Sequence, residues 1–326
     1  MARMQATCPP PGCTARAPCA GAALQVPLNA GNITIAIVDS GVEPHPDLNV
    51  VGRRTFVPGA AADDTGDSPY YKNGHGTLAA GIAAARNDGA GVWGVLPGAR
   101  LLSARVLDGG GASTSAVIVS ALTWLHDDPE GYTPAVINLS LQLAVGGGAC
   151  ADIAMCQAIS RLAAKGAVVA AAAGNSRQNA LGVAPACCGD AVAVTFLRML
   201  EDGRGTYSAT NWVPSTAPAA DKRRTLAAPG TDILSTARGG GYASETGSSF
   251  AAPSVAGIAG RCFAAGDCVL SPGRGGENRE KVLAAAWDKS GADARFRWTR
   301  RRDVTVAVPG ERFRRHLGPM AWADFW

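Results

Sequence analysis

The stretch ITIAIVDSGV, residues 33–42, contains the pattern on which the fold prediction rests. Residues 33–38 are all apolar or β-branched, and the turn-forming residues Asp39, Ser40 and Gly41 follow them directly. A short continuous run of this kind, ended by turn residues, is typical of a parallel strand that is buried on both faces. We therefore predict a buried strand over residues 33–39, with a polar turn at its carboxyl end.

Similar runs recur along the chain and alternate with segments of helical pattern. The other predicted strands are RLLSARVLD (100–108), AVINLSLQ (135–142), GAVVAAAAGN (166–175) and AVAVTF (191–196). The predicted helices are LAAGIAAA (78–85), STSAVIVSALTWLHDD (113–128) and DIAMCQAISRLAAKG (152–166). This alternation predicts a three-layer α/β fold, in which a mainly parallel sheet has helices on both faces. Functional residues of such folds gather at the carboxyl ends of the strands.

Composition divides the chain into a large domain and two terminal segments. Residues 1–27 are rich in Pro, Cys and Ala without periodicity, which predicts an irregular arm. Residues 28–293 carry the strand and helix pattern, whereas residues 294–326 form a basic, Trp-bearing extension. The formal net charge of the whole chain is only +4, so we expect no nucleic acid partner.

The nine cysteines bear on the compartment in which the chain folds. Cys150 and Cys156, like Cys262 and Cys268, have five residues between them and could each close a small loop as a disulfide. The absence of any C-x-x-C spacing argues against a zinc site. Disulfides indicate a secreted or periplasmic protein. The N-terminal residues show no apolar segment of a signal peptide, and no apolar run is long enough to span a membrane.

Asp39, His75 and Ser249 are the candidate catalytic residues. Asp39 ends the first predicted strand, while His75 and Ser249 each open a small-residue segment of helical pattern. Taken singly, these positions suit a turn residue, a neighbour of a helix cap and an N-cap. Taken together, they supply a hydroxyl nucleophile, an imidazole base and a carboxylate that orients the base. The order Asp, His, Ser is one of three that this arrangement takes along known chains.

Asn175 supports the same interpretation, because it lies just beyond a predicted strand in AAAGN (171–175). A side-chain amide at that place can donate a hydrogen bond to a developing oxyanion. The backbone N–H of Ser249, at the start of a helix, would be the second donor. The alternative for Asn175 is a turn residue after Gly174.

Seven stretches of the sequence, in order, resemble the subtilisin-like serine proteases, or subtilases. They are IAIVDSGVEPHPDL (35–48), NGHGTLAAGIAAA (73–85), GVLPGARLLSARVL (94–107), VINLSL (136–141), AAAGN (171–175), LAAPGTDILST (226–236) and GSSFAAPSVAGIAG (247–260). By position the resemblance implies Asp39, His75 and Ser249 as the triad and Asn175 as the oxyanion residue. It further implies an endopeptidase that acts on polypeptides, needs no cofactor for its chemistry and is a monomer.

The resemblance also implies where an extended substrate pairs with the enzyme. One segment comprises Gly109, Gly110 and Gly111, and the other comprises Ser140, Leu141 and Gln142. Residues 140–142, with a second wall that includes Ala172 and Gly174, would enclose the first specificity pocket. Gln142 stands where the family usually has glycine, so it could narrow this pocket or add a polar contact. Phe250 replaces a usual methionine beside the predicted nucleophile.

Family members often bind calcium, and RNDGAGVWG (86–94) matches the usual calcium loop in length. The resemblance implies Asp47 and Asp88 as side-chain ligands of a structural calcium ion, with backbone carbonyls completing the site. Hard oxygen ligands on a Gly-bearing loop suit this ion. The alternative is an ordinary Asn-Asp-Gly turn.

Two other functions remain open from the sequence alone. A protein with this fold could act as a binding protein with weak or no catalysis, as the substituted neighbours of the triad and the basic extension suggest. A peptide ligase or macrocyclase would use the same acyl-enzyme but transfer the acyl group to an amine.

Overall fold

A computed structural model describes residues 30–144, 150, 153–199, 205–207, 209–292, 305–307 and 314–316. The arm predicted for residues 1–27 and most of the extension predicted for 294–326 lie outside these ranges. No helix in them combines the length and apolar character needed to cross a membrane.

The predicted strands and helices are present, together with further elements that the sequence analysis did not predict. The strands are β1 (Thr34–Asp39), β2 (Val50–Thr55), β3 (Arg100–Arg105), β4 (Val136–Leu139), β5 (Leu143–Ala144), β6 (Val168–Ala172), β7 (Val183–Ala184), β8 (Ala191–Met199), β9 (Gly205–Tyr207), β10 (Val213–Pro214), β11 (Thr225–Pro229), β12 (Ile233–Thr236), β13 (Tyr242–Glu245), β14 (Thr305–Ala307) and β15 (Arg314–His316). The α-helices are α1 (His75–Ala84), α2 (Ser115–Asp127), α3 (Ile153–Ala164), α4 (Ala219–Arg223), α5 (Ser248–Ala264) and α6 (Gly275–Ala292).

The main sheet has the strand order β11-β8-β6-β4-β1-β3-β2, and every pair along this path is parallel. Strand β9 pairs antiparallel with β8 beside the path. Because β1 lies between β3 and β4, its backbone is hydrogen-bonded on both edges. All six of its residues are buried, which confirms the strand predicted from the opening stretch.

Helices cover both faces of the sheet, and β1 contributes alternate side chains to two cores. Ile35 and Ile37 join a cluster with residues of α1, α5 and α6. Ala36 and Val38 face the other way, into a cluster with residues of α2 and α3. This two-sided burial explains why β1 is continuously apolar rather than alternating, and it confirms the three-layer α/β fold.

Close packing around helix α5 depends on its small residues. A Cβ atom on Gly257 would lie 2.5 Å from Val95 Cβ and 3.1 Å from the Ala83 carbonyl oxygen at the end of α1. A Cβ on Gly260 would lie 2.8 Å from Leu96 Cδ2. The run of Ala and Gly that the sequence places after Ser249 therefore lets α5 approach α1 and the loop after it.

One of the two predicted disulfides is wrong, and the other is confirmed. Cys150 pairs with Cys187 and Cys156 with Cys188, so Cys150 and Cys156 are not joined to each other. The loop that follows β7 brings the adjacent pair Cys187-Cys188 against the start of α3, and all four sulfurs lie within 4.8 Å of one another. The pair Cys262–Cys268 closes the turn after α5, as predicted.

Three smaller sheets complete the described chain. Strand β5 pairs with β7, and β12 pairs with β13. Strand β15 pairs with both β10 and β14. The part of the predicted C-terminal extension that the structure describes therefore adds strands to β10 of the large domain.

We expect Gly257→Ala to destabilise the protein by about 1–3 kcal/mol, because the added methyl group overpacks the contact between α5, α1 and Val95. Gly276→Ala in α6 is the matched control, since a Cβ there meets nothing within 4 Å. Thermal unfolding of both variants checks the prediction. Equal melting temperatures for the two variants would contradict it.

Candidate active site

Three neighbouring strands end beside one another and bring the predicted site residues together. Strands β1, β4 and β6 are adjacent at the centre of the sheet and run in the same direction. Asp39 is the last residue of β1, Ser140 follows β4, and Gly174 and Asn175 follow β6. The carboxyl edge of the sheet therefore gathers residues that are far apart in sequence, as expected for this fold class.

Asp39 and His75 are directly hydrogen-bonded. His75 is the first residue of α1, and its Nδ1 lies 2.7 Å from Asp39 Oδ1. Asp39 is fully buried, and its Oδ1 also accepts the backbone N–H of Ser40 at 2.7 Å. A carboxylate on Nδ1 fixes the neutral imidazole as the tautomer with a proton on Nδ1, so Nε2 is the atom that can accept a proton.

The surroundings of His75 favour its protonated form. Burial by itself lowers the pKa of His75, but the negative charges of Asp39, Asp67 and Glu245 and the hydrogen bond that His75 donates to Asp39 together raise it above its usual value. The rings of Tyr71 and Phe250 pack near the imidazole, with centroids 4.9 and 5.1 Å away. Phe250 thus contacts the ring of His75 directly.

Ser249 is the second residue of α5, and its hydroxyl is bonded to the neighbouring strand end. Its Oγ donates to the Ser140 carbonyl oxygen at 3.1 Å, while Ser140 Oγ donates to the Ser249 carbonyl oxygen at 2.7 Å. Ser249 and His75 line the same cleft, but no hydrogen bond joins them in this structure. Such bonds are often formed only when substrate binds, and rotation of the serine side chain would redirect Oγ.

Asn175 is oriented by Ser248, the serine that precedes Ser249. Asn175 Oδ1 accepts hydrogen bonds from the Ser248 backbone N–H at 2.9 Å and from Ser248 Oγ at 3.0 Å. Ser248 Oγ in turn accepts the backbone N–H of Gly174 at 3.0 Å. Since both bonds to Asn175 use its oxygen, its Nδ2 is the group that remains to donate into the cleft. The sequence offered no specific role for Ser248, because the contact joins residues more than seventy positions apart.

The cleft has a volume of about 530 Å³ and contains most of the predicted substrate-binding residues. Its lining includes Gly111, Ser140, Leu141, Gln142, Ala172 and Gly174. Gly109 and Gly110 belong to the same loop as Gly111 but are not part of this lining. The N–H of Gly110 donates to the Asp108 carboxylate at 2.8 Å, which holds the loop as a closed turn.

Gln142 reaches across the predicted specificity pocket. A Cβ atom on Gly174 would lie 2.2 Å from Gln142 Oε1, so the Gln142 side chain lies directly against the opposite wall. Gly174 has a φ of +101°, a conformation that favours glycine, and the absence of a side chain makes this approach possible. The pocket is therefore narrower at this point than a glycine at position 142 would leave it.

Two tyrosines in the cleft were missed by the sequence analysis. Tyr70 is 61% exposed and packs over Gly111, where a Cβ would lie 2.5 Å from its ring. Tyr71 packs edge-on against Tyr70 as well as near His75. The sequence feature that could have indicated them is the Tyr-Tyr pair, five and four positions before His75, in YYKNGHGT (70–77). Lys72, Asn73 and Glu245 also line the cleft.

The carboxylate of Asp47 lies beside the predicted calcium loop. Asp47 is 3% exposed, and its Oδ2 accepts the Tyr242 hydroxyl at 2.8 Å. A Cβ on Gly91 would lie 2.4 Å from the same oxygen, so the loop backbone lies against the carboxylate. No Lys or Arg of the described ranges forms an ion pair with Asp47. Asp88 is exposed and accepts the N–H of Ala90 at 3.1 Å.

Comparison with known proteins places the chain in a family. Residues 30–274 match the Subtilase family. Thermitase from Thermoactinomyces vulgaris is 37% identical over 78% of this chain and 81% of its own sequence. Subtilisin Savinase from Lederbergia lenta is 34% identical over 71% of this chain and 76% of its own.

Solved structures give the same result. Sphericase matches with a TM-score of 0.67 and 28% identity, over 79% of this chain and 84% of that one. S41 psychrophilic protease matches with a TM-score of 0.67 and 29% identity over the same shares. The chain therefore belongs to the subtilase family and is a serine-type endopeptidase.

Proposed function

We propose that this endopeptidase cleaves peptide bonds with Ser249 as the nucleophile, His75 as the general base and acid, and Asp39 as the residue that orients His75. The proposal is supported mainly by the 2.7 Å hydrogen bond between Asp39 and His75 at the cleft that also contains Ser249 and Asn175. Its substrate is a polypeptide.

In the proposed mechanism, Ser249 Oγ attacks the scissile carbonyl carbon while His75 Nε2 takes its proton. Asp39 stabilises the resulting imidazolium through Nδ1. Asn175 Nδ2 and the backbone N–H of Ser249 donate to the oxyanion, since an N–H in the first turn of a helix has no intrahelical acceptor. His75 then protonates the leaving amine, and water attacks the acyl-enzyme in a second round of the same steps.

We propose that the substrate lies as an extended strand between residues 109–111 and residues 140–142. Tyr70, which packs over Gly111, would form one side of this groove. Gln142 would narrow the first specificity pocket and select small or polar side chains over large apolar ones. The contact of Gln142 with Gly174 supports this preference.

We further propose that Asp47 and the loop of residues 86–92 hold a structural calcium ion. A buried carboxylate without a cationic partner is costly, and a divalent cation would offset this cost. The backbone of the loop at Gly91 lies against Asp47, as a ligand loop must. Asp88 would contribute by turning its carboxylate from the Ala90 N–H towards the ion.

The remaining proposals concern organisation and compartment. We propose that residues 28–293 form a monomeric peptidase domain, with residues 1–27 and 294–326 as terminal segments. The pairs Cys150–Cys187, Cys156–Cys188 and Cys262–Cys268 favour a secreted or periplasmic protein, because such bonds persist in oxidising compartments.

Ser249→Ala should abolish labelling by a fluorophosphonate probe and lower kcat for peptide hydrolysis by about 10⁶-fold, a magnitude that comes from subtilisin, a member of the same family. Ser120→Ala is the control, since Ser120 is an exposed serine of α2 on the other face of the sheet. Labelling and hydrolysis that survive in Ser249→Ala would contradict the assignment.

Two further measurements separate the endopeptidase from a binding protein and from a peptide ligase. A binding protein would show no hydrolysis by the wild type, whereas its complex with a partner would survive Ser249→Ala. A ligase would form amide products when an amine is added to the wild-type reaction, as detected by mass spectrometry.

Gln142→Gly should raise the ratio of kcat/KM for a Phe substrate to kcat/KM for an Ala substrate by about 10-fold or more, where Phe or Ala is the residue before the scissile bond. The expected size follows from the roughly 1–3 kcal/mol that one additional methylene contributes to discrimination in a hydrophobic pocket. Paired peptides that differ only at that position measure the ratio. An unchanged or lower Phe-to-Ala ratio would show that Gln142 does not limit the pocket.

Removal of calcium by a chelator should lower the melting temperature of the wild type but not that of Asp47→Asn. Ligand binding stabilises a folded protein by mass action, about 2.7 kcal/mol at one hundred times Kd. Asp63→Asn, at an exposed position outside residues 86–92, should respond like the wild type. A wild-type melting temperature that is insensitive to both chelator and added calcium would exclude the site.

A further inference from the structure

A second buried carboxylate, Asp67, lies behind the Asp39–His75 pair and has no part in the mechanism above. It is 3% exposed. Its Oδ2 accepts the N–H of Thr77 at 2.8 Å and the Thr77 hydroxyl at 2.7 Å. Its Oδ1 accepts the Ser40 hydroxyl at 2.6 Å. Every one of these donors is neutral, and no cationic side chain of the described chain forms an ion pair with Asp67.

Ser40 connects the two carboxylates through one proton. Its Oγ lies 2.6 Å from Asp67 Oδ1 but 3.1 Å from Asp39 Oδ1. The N–H of Gly76, the residue after His75, donates to the same Oγ at 2.9 Å. A hydroxyl has a single proton to donate, and hydrogen bonds to an ionised oxygen are the shorter and stronger ones. The distances therefore assign the Ser40 proton to Asp67.

This assignment matters for Asp39. With the Ser40 proton directed to Asp67, Asp39 Oδ1 accepts only the Ser40 N–H and the His75 ring, and Asp39 Oδ2 has no partner in the described part of the chain. A carboxylate that accepts few hydrogen bonds interacts more strongly with each donor that remains. For Asp39 this stabilises the imidazolium form of His75.

We propose that Asp67 is a positioning residue of the active site: its carboxylate draws the Ser40 hydroxyl away from Asp39 and adds a second negative charge behind His75, and both effects stabilise the imidazolium. The inference rests on the proposed roles of Asp39 and His75. Asp67 does not touch the substrate and acts only through these two residues.

Several charged or titratable groups surround Asp67, and together they set its protonation. The backbone N–H of Asp67 donates to Glu43 Oε1 at 3.2 Å, and Arg238 Nε lies 3.5 Å from the same Glu43 oxygen. Asp39 faces Asp67 across Ser40. The pKa of Asp67 is raised to about 6: burial is the largest cause, the charge of Asp39 adds to it, and the hydrogen bonds from Ser40 and Thr77 oppose it.

Two more titratable groups respond to Asp67. Its charge contributes to the raised pKa of His75 and, after burial and the charges of Asp39 and Tyr70, to that of Tyr71, which is about 12. Tyr71 is therefore neutral near pH 7, whereas the protonation states of Asp67 and His75 depend on each other. The two groups form a coupled pair, in which a proton on one disfavours a proton on the other.

Protonation of Asp67 would reverse the Ser40 contact. The carboxylate takes up one proton from solvent, and the resulting neutral carboxyl group donates a hydrogen bond to Ser40 Oγ, whose own O–H then donates a hydrogen bond to Asp39 Oδ1. Asp39 gains a donor, and the charge behind His75 disappears. Asp67→Asn reproduces this state with nearly the same shape, because its Nδ2 can donate to Ser40 while its oxygen accepts from Thr77.

The test is the acid limb of the pH profile of kcat/KM, which reports the ionisation of His75 in the free enzyme. Asp67→Asn should move this limb to lower pH by about 0.5–1 unit. In the wild type, coupling between Asp67 and His75 should broaden this limb. In Asp67→Asn the coupling is lost, so the limb should fit a single ionisation. A purely structural role for Asp67 would lower the rate or the melting temperature but leave the limb in place.

Asp64→Asn is the matched control. Asp64 carries the same charge three residues earlier, but it is half-exposed and paired with Arg105. This variant should leave the limb unchanged. A limb that stays in place in Asp67→Asn, or that moves equally in both variants, would overturn the inference.

NMR titration of the His75 ring gives a second readout that needs neither turnover nor a stable variant. In the wild type the ring should show two inflections, one of them from the ionisation of Asp67. A single inflection would overturn the inference even if Asp67→Asn fails to fold. If Ser249→Ala retains full activity, the proposed function fails, but the titration still decides whether Asp67 and His75 are coupled.

Discussion

Burial of β1 on both faces is the constraint on which the rest of the structure depends. Its alternate side chains enter two separate cores, and its backbone is paired on both edges. A strand enclosed in this way cannot slip by one residue without exchanging the two sets of side chains. The position of Asp39 at its carboxyl end is therefore fixed by the packing of the whole domain rather than by a loop.

The geometry of the candidate site follows from that anchor. Helices α1 and α5 pack closely on the same face of the sheet because small residues line their contact, and these helices carry His75 and Ser249 at their first turns. The ends of β4 and β6 add Ser140 and Asn175 on the other side of the cleft. Each candidate residue thus lies at the end of a regular element, where its backbone has little freedom.

Buried polar groups next to these residues hold them in place through further hydrogen bonds. Ser248 holds Asn175 and Gly174, and Ser40 lies between Asp39 and Asp67. Buried hydroxyls of this kind are costly unless every group finds a partner. Their hydrogen bonds therefore help to hold Asn175 and Asp39 in position.

The sequence by itself determined the fold class, five strands of the main sheet with the helices between them, and the candidate residues Asp39, His75, Asn175 and Ser249, since local periodicity and short motifs carry that information. The tertiary structure alone decided the disulfide partners of Cys150 and Cys156, the contact of Ser248 with Asn175, the reach of Gln142 to Gly174 and the link from Asp67 to Asp39. Most of these contacts join residues that lie many positions apart in the chain. Their proximity depends on the order of strands in the sheet and on the path of the loops, and no local pattern records either.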